Sequence, residues 1–526
     1  MKKYLLLSVL LLILNACTGS CNQKKSTPSI NLTLAYPLET IDPRYATSAV
    51  ASRVNQLIFA PLFVMGEDGI PQPFLVKNFE QLSDTSFKII IKDDLYFHDG
   101  SNLTAHDVAY TFLDLSSKDV LSPHQEKFLY LKDIKIIDDK TLIFELNKTH
   151  AAFITELCAL GIVSKKSCFN RSKECRNEYN GSGPFMVEKW DMNKETLYLK
   201  PFLKWFEGSA KNNLTVRVVR DENTRILELI GQKTDIVEGD ISPGRITELK
   251  KQDFLDVKQI PSFGFTYLAF NLRGPKPGKL NSEENLTRAA LANKQVRQAI
   301  AHALNIDQVI EKILLNTASR STGMIPNIHW AKDKTLQPIK FDPVKAELLL
   351  DEAGFKRKAN NFRFNLTITT SQDRMRQSIA MLYADFLQKV GINAQVKVKD
   401  WSAVFQDMKQ GNFEMFSAIW VPVTDPDLYF WVHHSSNIPA QGKEGGNRHA
   451  YINKEVDELT EQGRITFDKD KRKAIYQNIE KIVFDELPYI LLWHEDRIVV
   501  INKKVLGYEP LNTGSLINLR KAYLKE

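Results

Sequence analysis

Trp401, Trp420, Asp425 and Asp427 are the side chains of this sequence whose types and spacing best suit holding a small solute. Most of them fall in one stretch, Glu414 to Trp431, which reads EMFSAIWVPVTDPDLYFW. Indole rings offer flat apolar area with a polar N–H handle. Aspartates offer acceptors for an ammonium group, or equally for the N–H groups of their own turn. His433 and His434 follow, and imidazoles can meet a polar solute or a metal. Elsewhere the histidines are scattered and no Cys/His spacing matches a zinc site, so neither a metal nor a cofactor is expected. A buried strand, a surface turn and a solvated loop would account for the same residues. What decides is whether the neighbouring elements aim them at one place.

The elements that precede them do so. Phe362 to Thr370 reads as a strand, and Arg374 to Lys389 as a helix with Met375, Ile379, Leu382 and Phe386 on one face, closed by Gly391. Ile392 to Lys399 is a second strand, Ser402 to Lys409 a helix closed by Gly411, and Met415 to Trp420 a third strand. Pro422 has no N–H for a sheet ladder, so that strand must stop. This β-α-β-α-β order predicts three parallel strands with helical crossovers, and ligands of such sheets bind beyond the carboxyl ends of the strands. Thr370 and Ser371, Trp401, and Trp420 stand at those ends and are expected on one rim.

Away from this segment the pattern is α/β with a mixed α+β part. Ile30 to Tyr36 alternates as a strand, and a helix over about 47–60 carries Val50, Val54, Leu57 and Ile58 on one face. Thr85 to Lys92 is a strand, and Asp138-Asp139-Lys140 turns a hairpin between Ile134–Ile137 and Thr141–Leu146. Leu214 to Val219, Glu222 to Gly231 and Thr234 to Val237 alternate strand, helix, strand. After the strand Phe265 to Asn271 comes a breaker-rich linker, Gly274-Pro275-Lys276-Pro277-Gly278. Near the end, Leu487-Pro488 breaks a helix, and Pro488 to Trp493 and Arg497 to Ile501 read as two strands.

With 526 residues, 43% of them apolar and 25% charged, the chain is a globular protein of two or more domains. Lys2 and Lys3 precede an apolar run, Tyr4 to Leu14, that is too short to span a membrane and suits a signal peptide. Leu14-Asn15-Ala16-Cys17 resembles the bacterial lipobox, so cleavage before Cys17 would leave a lipidated first residue and a polar tether over 17–29. Export places Cys21, Cys158, Cys168 and Cys175 in an oxidising compartment, where their pairing stays open. The formal charge of +7, with acids and bases interspersed, leaves no nucleic-acid footprint. GxSxG, HExxH, P-loop and dinucleotide fingerprints are all missing. The glycines of Gly181-Ser182-Gly183-Pro184-Phe185 precede a strand, not a helix. Weight therefore shifts from enzyme to binding protein.

Five stretches, in order, resemble the solute-binding proteins of peptide-class ABC importers, the oligopeptide-, dipeptide- and nickel-binding group. They are Phe97-His98-Asp99-Gly100 with Leu103 to Phe112, Asn180 to Phe185, Tyr267 to Asn271, Val296 to Leu304, and Asp342-Pro343 through Phe355. The resemblance implies a two-lobed periplasmic-binding-protein fold: lobe one over 30–271 plus 489–526, with an α+β subdomain at about 61–179, and lobe two over 272–488. It implies a non-enzymatic, monomeric receptor that takes a peptide into the cleft and passes it to permease subunits. It also implies Trp401 and Trp420 as cleft residues, with Tyr267 and Asn271 near the hinge; Ser371 and His433 are further candidates. One position departs. Peptide binders of this group commonly carry an aspartate three residues after the tryptophan that matches Trp420, and it pairs with the peptide's α-ammonium. Here that position is Val423. Either Asp425 or Asp427 substitutes from a shifted turn, or the ligand has no free amine there. The second case admits a non-peptide ligand such as a metal chelate, haem or a glycan fragment.

Overall fold

A 12-stranded sheet forms the backbone of the molecule. The computed structural model describes residues 27–116, 122–168, 179–278, 282–420, 422–440 and 443–525. The expected signal peptide, Cys17, Cys21 and Cys175 lie outside them, as does the side chain of Cys168. Numbered in chain order, the sheet's strands are β1 (Ser29–Leu34), β2 (Phe185–Asp191), β3 (Thr196–Pro201), β4 (Asn213–Val218), β5 (Ile236–Glu238), β6 (Leu255–Pro261), β7 (Phe265–Phe270), β8 (Ala318–Arg320), β9 (Phe364–Thr370), β10 (Ile392–Val398), β11 (Met415–Trp420) and β12 (Tyr489–Asn502). Their spatial order is β10-β9-β11-β7-β12-β5-β1-β4-β3-β2, with β6 and β8 also on β12.

The expected parallel set is present. β9 pairs in parallel with β10 over seven residues and with β11 at Ile368 and Thr369. Helix Arg374–Lys389 makes the first crossover, started by Asp373, whose carboxylate accepts the Arg376 N–H at 2.9 Å. Helix Trp401–Gln410 makes the second, capped by Asp400 and closed by Gly411 at φ 71°, a left-handed position where glycine carries no Cβ penalty. Beside the main sheet, Val76–Ser83, Ser86–Ile91, Thr141–Leu146 and Leu131–Ile136 form a separate antiparallel sheet under helix Ala105–Ser116. Phe87, Phe97, Phe112, Phe128 and Phe144 are its buried centre, so the α+β subdomain has its own core.

β12 is one 14-residue strand, not two short ones. Its first part pairs with β7, and Asp496 to Asn502 pairs with β6. One strand therefore serves both lobes and crosses between them near His494–Asp496. The other crossing is the bend Ser262-Phe263-Gly264 between β6 and β7. The change of lobe expected at 271/272 and at 488/489 therefore falls earlier, at 262–264, and later, at 494–496. The reason is that β7 pairs along its whole length with β11, from Phe265↔Trp420 to Phe270↔Met415, so the chain has already changed lobes before the Gly/Pro stretch begins. That stretch is a loop: Lys276 N–H bonds Asn285 Oδ1 at 2.8 Å. Leu487, at φ 47°, is the C-cap of helix Lys469–Glu486.

The sequence stretches that look most distinctive turn out to be joints. His98 N–H bonds the Gly181 carbonyl at 2.9 Å, its Nδ1 accepts the Gly181 N–H at 3.2 Å, and its Nε2 meets the Gly183 carbonyl at 3.0 Å. This clasp fastens the subdomain to the start of β2. A Cβ on Gly181 would lie 1.9 Å from the Ile58 carbonyl oxygen, which is why only glycine fits against helix Ala49–Ile58 there. Asn271 donates to the Gly411 and Phe413 carbonyls at 2.8 and 2.7 Å. Arg297 caps the carbonyls of Leu291, Ala292, Glu486 and Leu487. Each satisfies buried backbone groups that would otherwise be orphaned.

Candidate functional site

A cavity of about 880 Å³ lies between the lobes, within the range of small-molecule sites. Lobe one lines it with Arg53 and Gln56 of helix Ala49–Ile58, with Val64 to Glu67, and with the loop Gly239 to Pro243. Lobe two contributes Thr266 of β7, Ser417 to Ile419 of β11, and Asp373 and Arg376 at the start of their helix. Trp493 to Ile498, the crossing part of β12, lines it apart from His494, and Thr513 to Ser515 close one side. The cavity is thus bounded by both lobes and by a strand that crosses between them.

Its charges are held in different ways. Glu495 Oε1 accepts the Thr266 hydroxyl at 2.8 Å and the Trp493 indole N–H at 3.2 Å. Asp496 Oδ2 accepts Gln259 Nε2 at 2.7 Å, and burial lifts this carboxyl above the usual range. Arg497 pairs with Glu238 and donates to the Leu511 carbonyl at 2.6 Å, and burial pulls its guanidinium down to about 10. Arg53 is lowered by burial too, while Asp240 opposes the shift. Asp240 sits in a left-handed turn with Gly239, at φ 54° and 78°. Burial raises its carboxyl, against the pull of the Tyr36 hydroxyl, Arg225 and Arg53. Arg376 stands half-buried in the first turn of helix Arg374–Lys389, where the helix dipole also favours a negative group.

The lobes also touch at a distance from the crossing strands. Asp425 Oδ2 accepts the Thr155 hydroxyl of the subdomain at 3.0 Å. The Arg464 guanidinium donates to the Tyr130 hydroxyl at 2.7 Å, and the Ala151 N–H bonds the Arg464 carbonyl at 2.7 Å. The Trp330 N–H reaches the Asp68 carbonyl at 2.9 Å. These contacts join the lobes away from the two crossings.

The residues singled out in the sequence stand behind this surface rather than on it. Successive side chains of a strand point to opposite faces. On β11, Ser417 and Ile419 face the cavity, while Trp420 lies on the other face, parallel to Phe265 at 6.4 Å and under the Arg448 guanidinium at 5.6 Å. On β7, Thr266 faces the cavity and Tyr267 joins the buried cluster with Phe265, Phe416 and Tyr489, where burial pushes its hydroxyl up to about 12. Trp401 is the first residue of its helix, 42% exposed, and does not line the cavity. Ser371 is buried, its hydroxyl accepting the Asp373 N–H at 3.4 Å, and Asn271 is bound to carbonyls at the far end of β7. His433 is fully buried, with Nε2 on the Tyr489 hydroxyl at 2.8 Å and Nδ1 on His449 at 3.2 Å.

The carboxylates are likewise engaged. Arg472 donates to both oxygens of Asp425, at 2.6 and 3.1 Å. Burial alone would raise the Asp425 carboxyl, but the Arg472 charge outweighs it and holds it below the usual range. Asp427 meets Arg464 at 3.1 Å, yet burial, helped by the neighbouring Asp425 charge, keeps its carboxyl raised. Val423 is 2% exposed, its N–H on the Phe263 carbonyl at 2.9 Å. Cys158 keeps a free thiol at the cavity wall.

Thr266, Arg53, Asp240 and Glu495 were not singled out in the sequence. β7 is buried on both faces, so its sequence FTYLAF has no alternation to show which residues face the cavity. One signal was present: Glu495-Asp496-Arg497 puts three charges into the middle of an otherwise apolar strand, YILLWHEDRIVVIN.

Known proteins match this architecture over most of its length. A family model described as bacterial extracellular solute-binding proteins, family 5 Middle, matches residues 71–440. The oligopeptide-binding protein AppA of Bacillus subtilis (strain 168) is 24% identical, the match covering 98% of this chain and 97% of that protein. AppA, solved with a nonapeptide, superposes with a TM-score of 0.75 at 22% identity, covering 95% of this chain and all of the other. The ABC transporter substrate-binding protein CtaP of Listeria monocytogenes reaches a TM-score of 0.83 at 22% identity over 95% of this chain and all of the other. NikZ of Campylobacter jejuni, solved with Ni(L-His), gives 0.76 at 23% identity over 94% of this chain and 99% of the other. The chain belongs to the bacterial extracellular solute-binding proteins of family 5, extracytoplasmic receptors that serve ABC importers.

Proposed function

We propose that this receptor captures oligopeptides in the cavity between its lobes and releases them unchanged to the permease subunits of an ABC importer. In this reading a lipid on Cys17 ties a monomer to the membrane. The observation that carries the ligand assignment is the cavity itself. Its size, its hydroxyl groups from Thr266 and Ser417, and charges of both signs on its walls suit a zwitterionic chain bound through polar main-chain contacts. Similarity to AppA across nearly the whole chain supports the same class. The contacts we assign are Arg53, Thr266, Arg376, Ser417 and Glu495, with Trp420 and Tyr267 as the layer that stiffens the strands behind them. Native mass spectrometry of the purified protein, as isolated and after exposure to a mixed peptide library, tests the reading: retained peptide masses are expected, and failure to retain any overturns it. Val423, in place of the amine-binding aspartate, favours a second reading, a non-peptide such as a metal chelate. Metal analysis of the same sample separates the two.

A further inference from the structure

We propose that Glu495 receives the cationic group of the ligand, the α-ammonium of a bound peptide, so that the amine anchor sits on the crossing strand and not beside Trp420. This rests on the peptide reading above. The usual place is closed on three counts. Val423 is buried with its N–H bound, Asp425 is held by two Arg472 donors, and Asp427 is paired with Arg464.

The other acidic side chains of the cavity wall have work to do. Glu222 accepts the Ser242 N–H at 2.6 Å, and Asp373 accepts the Arg376 N–H that starts its helix. Asp240 feels the charges of Arg225 and Arg53. Glu67 is exposed to water, and Asp496 is held by Gln259 in a setting that favours its neutral form. Glu495 differs. Both its protein donors, the Thr266 hydroxyl and the Trp493 indole, converge on Oε1. Oε2 is left without a donor, on a half-buried side chain that meets no lysine or arginine within ion-pair distance among the described residues.

A carboxylate fixed by two hydrogen bonds is preorganised: its orientation is set before a ligand arrives, so little ordering is lost on binding. An ammonium group has three donors, and a charge-assisted N–H···O⁻ bond is about twice as strong as a neutral one. Placement adds to this. β12 runs through both lobes, and Thr266 and Trp493 belong to the second-lobe half of the sheet. A ligand amine at Glu495 would therefore lie where the lobes meet. It would leave the rest of the chain to reach Arg53 on one lobe and Arg376 on the other.

The test uses the full chain with two probes, a random pentapeptide library with free N-termini and the same library N-acetylated. Wild-type protein is expected to bind the free-amine library more tightly by roughly 30-fold or more, the loss that follows truncation of one partner of a desolvated charge pair. Glu495→Gln keeps the size and the acceptor for Thr266 and is expected to lose that preference, with an unchanged melting temperature. An equal wild-type affinity for both libraries, or a folded Glu495→Gln that keeps the preference, overturns the inference and leaves the peptide reading standing. Binding of neither library by the wild type overturns both. The acetylation contrast on the wild type decides the matter even if the variant fails to fold.

Discussion

Replacing Asp425 separates a structural carboxylate from a ligand-binding one. In the structure its two oxygens take four hydrogen bonds: two from Arg472, one from the Thr155 hydroxyl at 3.0 Å and one from the Asp427 N–H at 2.8 Å. The Arg472 and Asp425 side chains are 7% and 12% exposed. Asp425→Ala would leave a buried guanidinium with no carboxylate hydrogen bond among the described residues, its neighbours reduced to the Gly463 carbonyl at 3.0 Å and the rings of Trp330 and Tyr476. Breaking a buried pair from one side costs about 3–5 kcal/mol. Thr155→Val removes a single bond to a charged acceptor, about 1.5–3 kcal/mol, and that bond joins the two lobes. Stability should therefore fall strongly in Asp425→Ala and be partly restored in Asp425→Ala/Arg472→Met, which removes the stranded charge. In Thr155→Val the larger effect should be on ligand affinity, because Thr155 lines the cavity and the lost bond joins the two lobes beside it; every 1.4 kcal/mol is tenfold in Kd. The assays are urea midpoints and calorimetric titration with a retained peptide. Because Arg472 holds the Asp425 carboxyl below its usual range, this contribution is present in full above pH ~4 and fades only below it, so neutral buffer reads its whole value. An Asp425→Asn protein with an unchanged urea midpoint, but no preference left for free-amine over acetylated peptides, would refute the reasoning and return Asp425 to the ligand.

Three further outcomes follow from the same packing. His98, His329 and His494 are pulled down to about 4, and His449 to about 3, by burial first. Their folded pKa lies below the unfolded ~6.5, so their contribution is whole above pH ~6.5 and drains as pH falls, roughly 2 kcal/mol per histidine by pH 5. Raised carboxyls such as Glu480 and Asp427 act in the opposite sense. The clean measurement is therefore His98→Gln, whose urea midpoint should depend less on pH between 7 and 5 than that of the wild type; equal slopes would count against it. Gly181→Ala should cost about 3 kcal/mol or more, the upper end of overpacking, since its Cβ meets the Ile58 carbonyl; a melting temperature within a degree of wild type would contradict this. Cys158, buried and with its thiol raised, should react with iodoacetamide far more slowly in the folded protein than in urea, and equal rates would show that the thiol is accessible.

What the sequence made legible, and what it hid, divides along a physical line. Secondary structure was written in periodicity and caps: helix Arg374–Lys389 and strand Met415–Trp420 have the ends their sequence predicts, and the parallel order of β9, β10 and β11 followed from their connections. The family was legible because its most distinctive stretches are joints. His98 on Gly181 and Gly183, Asn271 on Gly411 and Phe413, and Arg297 on four carbonyls each solve a problem of buried backbone groups. A joint tolerates few substitutes whatever ligand the cleft holds. Such stretches therefore announce the scaffold and say little about the cargo.

The cavity surface obeys other constraints. Which face of a strand looks into the cleft is a matter of register. A fully buried strand such as β7 gives no polar alternation from which to read it, so Tyr267 stood out where Thr266 faces the cavity. The same parity turned attention to Trp420 instead of Ile419. Long-range pairing hid the rest. That Asp425 belongs to Arg472 and Thr155, 47 and 270 residues away, cannot be seen in a turn-forming Asp-Pro-Asp. One signal of the site stands in the sequence itself, the charged triplet Glu495-Asp496-Arg497 inside a largely apolar strand. Three charges there break the strand's own pattern, and a buried strand tolerates that only where something polar faces it. On the first-lobe side Arg497 meets Glu238, and Asp496 meets Gln259. Among the described residues Glu495 has neutral donors alone, so the unmatched charge of the triplet lies at the cavity, where a cationic ligand group would complete it.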